Sequence, residues 1–383
     1  MTRLRELREQ EDWTQDQLVR EIERASVTLK IRLPGRGSLI TNISRWENGR
    51  ITPGPDYLRI LRHIFAASDV DMGFGDDSET WSLPSTQRED QVTYFERLFD
   101  EHVAADNLVG SAYVGPLVAD QTRQLLMLTS QARGPTRRGL VEVTARFEEF
   151  LGWLNQDTGR LEAAMHHTDR ARDLALELGD NAFNAYLLMR KSNIASDAGD
   201  GPLALGLSEA ALSAATDSTP DVRAVILRQK ANAHALLGEA EDCGAAIEGA
   251  FDALTDGKGE RSRLAPYCTP EYVAMDAGEC WVALGDNDRA LSAFALASSP
   301  SVVLSKRDHG LALSRAAHAY ALAGDRVTAC SAAALAIEAA QLARSGRVIR
   351  ELRAVRGTLR KRWPGDDQCR AIIGAVGRLA AGG

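Results

Sequence analysis

The apolar positions of this chain recur mostly with the period of a helix. In TRLRELREQEDW, Leu4 and Leu7 stand one turn apart among charges, with Thr2 placed as an N-cap. TQDQLVREIERA offers Thr14 as a second cap, followed by Leu18, Val19 and Ile22 on one face. After a loop, SLITNISRWENG puts Ile43 and Trp46 inward and Thr41 and Arg45 on the opposite side, with Gly49 as the stop. PGPDYLRILRHIF predicts a fourth helix with Tyr57, Leu58, Leu61, Ile64 and Phe65 as its apolar stripe. Residues 68–90, rich in Asp, Gly and Ser, carry no helical period and read as a linker. From about residue 91 the pattern is helical throughout, with no sustained strand alternation.

Within that long segment the pattern repeats. Turns DTGR, DAGD, LLGE, ALGD and LAGD place glycines at 159, 199, 238, 285 and 324, spaced 40, 39, 47 and 39 residues apart. The one long spacing is accounted for by an extra loop, TDGKGERSRLAP. Five residues beyond each glycine stand Ala164, Ala204, Cys243, Ala290 and Ala329, and twelve beyond stand Ala171, Ala211, Ala250, Ala297 and Ala336. Seven before stand Gly152, Ser192, Ala231, Gly278 and Ala317. Small residues at fixed places let paired helices approach closely. Two helices within 91–109 and 116–131 form a degenerate leading pair, and SGRVIRELRAVRGTLRKRWP closes the array as a cap or contact surface.

Composition adds little except through its distribution. The chain has 383 residues and a net charge of −8, which looks wrong for a nucleic-acid binder. Residues 1–66, however, hold twelve Lys/Arg against nine Asp/Glu, a charge of +3, which leaves −11 for the rest. Within 30–66 seven basic residues face two acidic ones. A small basic head on an acidic body suits a DNA-binding domain joined to a domain with another task. No run is long and apolar enough for a membrane span, and no signal peptide opens the chain. Five scattered cysteines (243, 268, 280, 330 and 369) make neither a disulfide framework nor a zinc site, and point to inert thiols in a reducing cytoplasm.

Thr14-Gln15, Leu18 and the run Ile43-Ser44-Arg45-Trp46-Glu47-Asn48-Gly49 resemble the Xre/Cro/phage-repressor helix-turn-helix family over roughly residues 3–66. The resemblance implies a recognition helix in the major groove of an operator in double-stranded DNA. By it, Gln15 contacts a phosphate, Thr41, Asn42 and Arg45 face the groove with Ile40 near it, and Arg45 is the candidate for bidentate guanine contact. It also pairs Arg8 with Glu47 in a structural role. Two departures stand out. The inserted SVTLKIRLPGRGS lengthens the connection between the two helices, either as a plain surface loop or with Lys30, Arg32 and Arg36 reaching phosphates. Leu39 occupies the usual cap position, so Ser38 is expected to cap one residue early; Arg50 is a further phosphate candidate.

The repeats resemble tetratricopeptide repeats with longer helices. The architecture is similar to peptide-responsive bacterial regulators, in a composition like that of actinobacterial versions. The resemblance implies an all-α protein: a helix-turn-helix domain (1–67), a linker (68–90) and a right-handed α-solenoid (91–383) for sensing and dimerisation. Six residues before each turn glycine, where such solenoids face their concave side, stand Trp153, Asn193, Asn232, Glu279 and His318, with Arg228 one turn before Asn232. Asparagines there suit the main chain of a peptide, and a peptide or small ligand is the implied occupant. A homodimer with two DNA-binding heads is the implied assembly. The alternative is a DNA-binding adaptor whose repeats dock another protein with no small ligand. No phosphate-binding loop, nucleophile–base pair or metal-ligand spacing occurs, and the adjacent His166 and His167 diverge on a helix, so no catalytic residue, metal or cofactor is expected.

Overall fold

The computed structural model describes residues 3–11, 13–29, 31, 33, 36–65, 67, 69, 71–74, 88–216, 218–256, 262–297, 306–343 and 345–381. Among these the regular structure is entirely helical, and the chain divides into two units, 1–88 and 89–383.

The first unit packs α1 (Arg3–Gln10), α2 (Gln15–Leu29), α3 (Arg36–Glu47) and α4 (Pro55–Phe65). Its core holds Leu4, Leu18, Val19, Ile22, Leu39, Ile43, Trp46, Ile60 and Leu61. Ile60, outside the stripe expected for the fourth helix, is fully buried there. Thr14 and Gln17 form a capping box: the Gln17 amide donates to Thr14 Oγ1 at 3.2 Å and the Thr14 amide to Gln17 Oε1 at 2.7 Å. Gly49, at φ 65°, ends α3 in a Schellman motif, with Gly49 N bonded to Trp46 O and Arg50 N to Arg45 O. The packed chain runs past the boundary expected at 67: Met72 is fully buried and its carbonyl accepts from Leu4 N at 3.0 Å.

Two sequence expectations change in this unit. Both ends of the inserted segment are helix, because α2 continues to Leu29 and α3 begins at Arg36. α3 starts at Arg36, so Ser38 lies inside its first turn and is not the cap, and Leu39 faces the core. The expected cap Thr2 lies outside the described residues.

The second unit is an α-solenoid. A leading pair, α5 (Arg88–Val109) and α6 (Ser111–Gln131), precedes α7 (Gly134–Asp157), α8 (Leu161–Leu178), α9 (Asn181–Asp197), α10 (Gly201–Ala214), α11 (Pro220–Leu237) and α12 (Ala240–Asp256). Then follow α13 (Pro270–Ala283), α14 (Asn287–Ala297), α15 (Lys306–Ala323), α16 (Arg326–Ala343), α17 (Gly346–Arg362) and α18 (Asp367–Ala381). The expected terminal cap, α17, packs on α15 and pairs with α18 as one more repeat.

All five turn glycines have positive φ, from 77° to 92°, and each closes its helix with the same pair of Schellman hydrogen bonds. The next residue caps the following helix: Asp200, Asp286 and Asp325 accept from the amides of Leu203, Arg289 and Thr328 at 3.0 Å. The small positions are contact points, since Ala164, Ala171, Ala204, Ala211, Cys243, Ala250, Ala290, Ala329 and Ala336 have no exposed surface. A Cβ at Gly152 would lie 2.6 Å from Thr168 Oγ1.

The solenoid also touches itself across its concave side. Arg307 at the start of α15 pairs with Asp106 near the end of α5 at 2.7 Å. Ser345 donates to Asp157 at 2.9 Å, and Arg350 of α17 bonds Asp197 at 3.0 Å. Gly346 has no room for a Cβ, which would run into the Asp157 carbonyl oxygen. These contacts join residues 153 to 201 apart in sequence and bridge the groove.

Candidate functional site

Two surfaces carry the sequence-predicted residues. On α3, the carboxylate of Glu47 is buried, and it accepts from Arg8 Nε at 2.6 Å and Gln15 Nε2 at 2.7 Å. Gln15 is therefore turned onto Glu47, which leaves one amide hydrogen for another partner. With Ile43, Trp46 and Glu47 buried, Ile40 (40% exposed), Thr41 and Arg45 face outward, and Asn42 is half-buried. Ser38 and Arg50 are exposed too, and neither Arg45 nor Arg50 has an ion-pair partner among the described residues. Lys30 and Arg32 lie outside the described residues, and of Arg36 only the helical backbone is described.

The second surface is a cavity of about 380 Å³ in the repeat unit, within the range of ligand sites. Trp153, Asn193 and Arg228 line it together; Asn232, Glu279 and His318 are not among its described lining. Glu279 forms an ion pair with Arg315, and His318 shares a hydrogen bond of 3.1 Å with Thr358. Asn193, expected to meet a peptide backbone, is engaged by neighbouring helices. Its Nδ2 donates to Gln229 at 2.8 Å and its Oδ1 accepts from Gln156 at 2.6 Å. The neighbouring helices take one of its two amide hydrogens and its carbonyl oxygen, so it stiffens the wall and keeps one N–H for other partners.

Trp153 is the centre of the site. The guanidinium groups of Arg190, Arg307 and Arg347 lie 5.3, 5.4 and 5.6 Å from its ring, and its Nε1 donates to Asp106 at 3.2 Å. Arg190 pairs with Glu149 at 3.0 Å and donates to Gln156 at 2.9 Å. Arg228 pairs with Asp276, which Arg315 also reaches at 2.5 Å. Burial works against the charge of Asp276, but Arg228 and Arg315 outweigh it and hold the carboxyl below its ordinary range. Burial pushes Glu149 up despite Arg190. Tyr186 and Tyr272 are also pushed up by burial, so they stay neutral and present hydroxyls to the cavity.

Sequence reasoning missed Arg190 on this wall and the buried polar residues behind it. Arg190, Gln229, Asp276 and Arg315 each stand nine residues before a turn glycine, and all four are buried. That register was available as a signal. Arg307 and Arg347 were not findable from the repeat, because they enter from first turns that meet the opposite end of the array. The irregular segment after α12 is also part of the site: Arg263, Leu264, Pro266 and Tyr267 line the cavity, and Tyr267 shares a hydroxyl hydrogen bond of 3.2 Å with Tyr186. Elsewhere, His234, Glu239 and Asp242 bring potential metal-ligand atoms within 4.8 Å of one another, and the His234 ring is hydrogen-bonded to Glu239.

No protein-family model and no curated protein matches the chain. Two of the solved structures similar to it can be named. A Rap protein complexed with competence and sporulation factor shares 13% identity at a TM-score of 0.48, covering 96% of both chains. BtubC (BKLC) from P. vanneervenii shares 17% identity at a TM-score of 0.39, covering 66% of this chain and 91% of its own. At that similarity neither says what this chain binds. No described helix is long and apolar enough to cross a membrane.

Proposed function

We propose that the chain is a sequence-specific, DNA-binding transcriptional regulator of the Xre type. Its repeat unit senses a peptide or small ligand and mediates dimerisation, and it has no catalytic role. The observation that carries the reading is the division of labour on α3. Ile43 and Trp46 are core, Glu47 is tied to Arg8 and Gln15, and what remains outward is a short row of Ile40, Thr41 and Arg45, ended by Arg50. An arginine with no partner among the described residues, on an exposed helix face, suits a guanine edge, and Arg50 and the second amide hydrogen of Gln15 suit phosphates. The cavity supports a ligand over a docking role, because its volume of about 380 Å³ suits a small ligand and it is lined by aromatic and cationic groups.

Genomic fragments retained by the full chain, once sequenced, give the operator. On that operator Arg45→Ala is expected to lose about 1–3 kcal/mol of discrimination between specific and unrelated DNA. Equal retention of specific DNA by both proteins would remove Arg45 from the reading. A chain that retains no DNA at low salt would remove the reading itself.

A further inference from the structure

The cavity walls hold more positive charge than they can neutralise. Arg190 has Glu149 and Arg307 has Asp106. Arg228 shares Asp276 with Arg315. Arg347 has no such partner: it is 8% exposed, lies over the Trp153 ring, lines the cavity, and makes no hydrogen bond or ion pair with any described residue. Asp197, the carboxylate whose field bears on it most, gives its oxygens to Gln156 at 2.7 Å and Arg350 at 3.0 Å. The fields of Asp197 and Asp276 outweigh burial and keep the guanidinium charged, yet neither acid gives it a hydrogen bond, and its donors stand beside a cavity lined by aromatic rings.

We propose that the cavity binds a monoanionic carboxylate on an aromatic or apolar body, with Arg347 as the bidentate anchor of the carboxylate. The body lies against Phe150, Phe183 and Tyr272, all on the cavity wall. A planar fork with five donors matches a carboxylate, and the Trp153 ring 5.6 Å from the guanidinium gives it a cation–π contact. A free small acid and the C-terminal carboxylate of a short peptide share this chemistry. The inference rests on the reading that the repeat cavity takes a ligand.

The test uses the full chain and matched pairs of acid and amide: phenylacetate and phenylacetamide, indole-3-acetate and indole-3-acetamide, and N-acetylphenylalanine and its amide. Binding is measured by calorimetric titration and by the shift in unfolding temperature. Each acid is expected to bind at least about tenfold more tightly than its amide. Arg347→Gln abolishes that preference and Arg347→Lys keeps part of it. Tighter binding of the small acids identifies a free acid as the source of the carboxylate, and tighter binding of N-acetylphenylalanine identifies a peptide terminus. Equal binding of acid and amide overturns the inference while leaving a ligand cavity in place. Absence of binding by every probe up to its solubility overturns both. An acid preference that survives Arg347→Gln overturns the role of Arg347.

Discussion

Replacing Glu47 by alanine isolates the part of the WENG run that is structure. The carboxylate is 2% exposed and accepts from Arg8 Nε at 2.6 Å and from Gln15 at 2.7 Å. Without it, the Arg8 guanidinium stays buried with only the Trp13 carbonyl at 2.6 Å and Glu9, at the exposed edge, 3.6 Å away. Removing one partner of a buried ion pair costs about 3–5 kcal/mol. The contacts Arg8 keeps place the loss near the lower figure, about 3 kcal/mol. That is a large share of the stability of a unit this small. Amide hydrogen exchange in the full chain reads it directly: the slow amides of α3 should exchange about a hundredfold faster, with amides of the repeat unit unchanged. The pair Arg8→Met with Glu47→Leu should recover most of the loss, since it leaves no buried charge unpaired. An acceleration of less than about tenfold in Glu47→Ala would refute the brace.

Two further outcomes follow from the repeat unit. At Gly278 a Cβ would lie 2.6 to 2.8 Å from three ring carbons of the buried Phe294, whereas at Gly357 nothing lies within 4 Å. Gly278→Ala should therefore destabilise by about 1–3 kcal/mol, and Gly357→Ala should stabilise by about 0.5–1 kcal/mol, through opposite shifts in unfolding temperature; shifts of the same sign would contradict the packing argument. At Glu279, burial raises the pKa, Arg315 opposes it and Glu351 raises it again, leaving the carboxyl pushed up to about 7 from 4.5. Between those values the folded state binds more protons than the unfolded, so wild type should lose stability relative to Glu279→Gln as pH rises from about 4.5 to 7. Melting curves across that window check the sign, and a flat or inverted difference refutes it.

What was legible in the sequence was local. A Schellman glycine followed by an aspartate cap is written in two adjacent residues, so Gly199-Asp200, Gly285-Asp286 and Gly324-Asp325 announce both the end of one helix and the start of the next. The close approach of paired helices was equally readable, because it needs small residues at fixed offsets. Less regular places were misread. The start of α3 was hidden because Leu39 and Ser38 fit a cap-and-loop reading as well as a helix that begins at Arg36. The cysteines look scattered by number, yet one repeat length brings Cys330 and Cys369 to 3.6 Å between sulfurs.

The cavity was only half legible, and the reason is geometric. Trp153, Asn193 and Arg228 belong to the repeating face of the first helices, and periodicity finds such a face. Charge balance inside a closed array is a different property. It depends on which residues meet when the end of α5 reaches the start of α15 and the ends of α7 and α9 reach the start of α17. No local pattern records that closure. It brings Arg307 to Asp106, which neutralises it, and Arg347 to Trp153, which does not. Along the chain the two arginines look alike, each in the first turn of its helix. Only the folded array separates a cation with a direct ion pair from one that has none among the described residues.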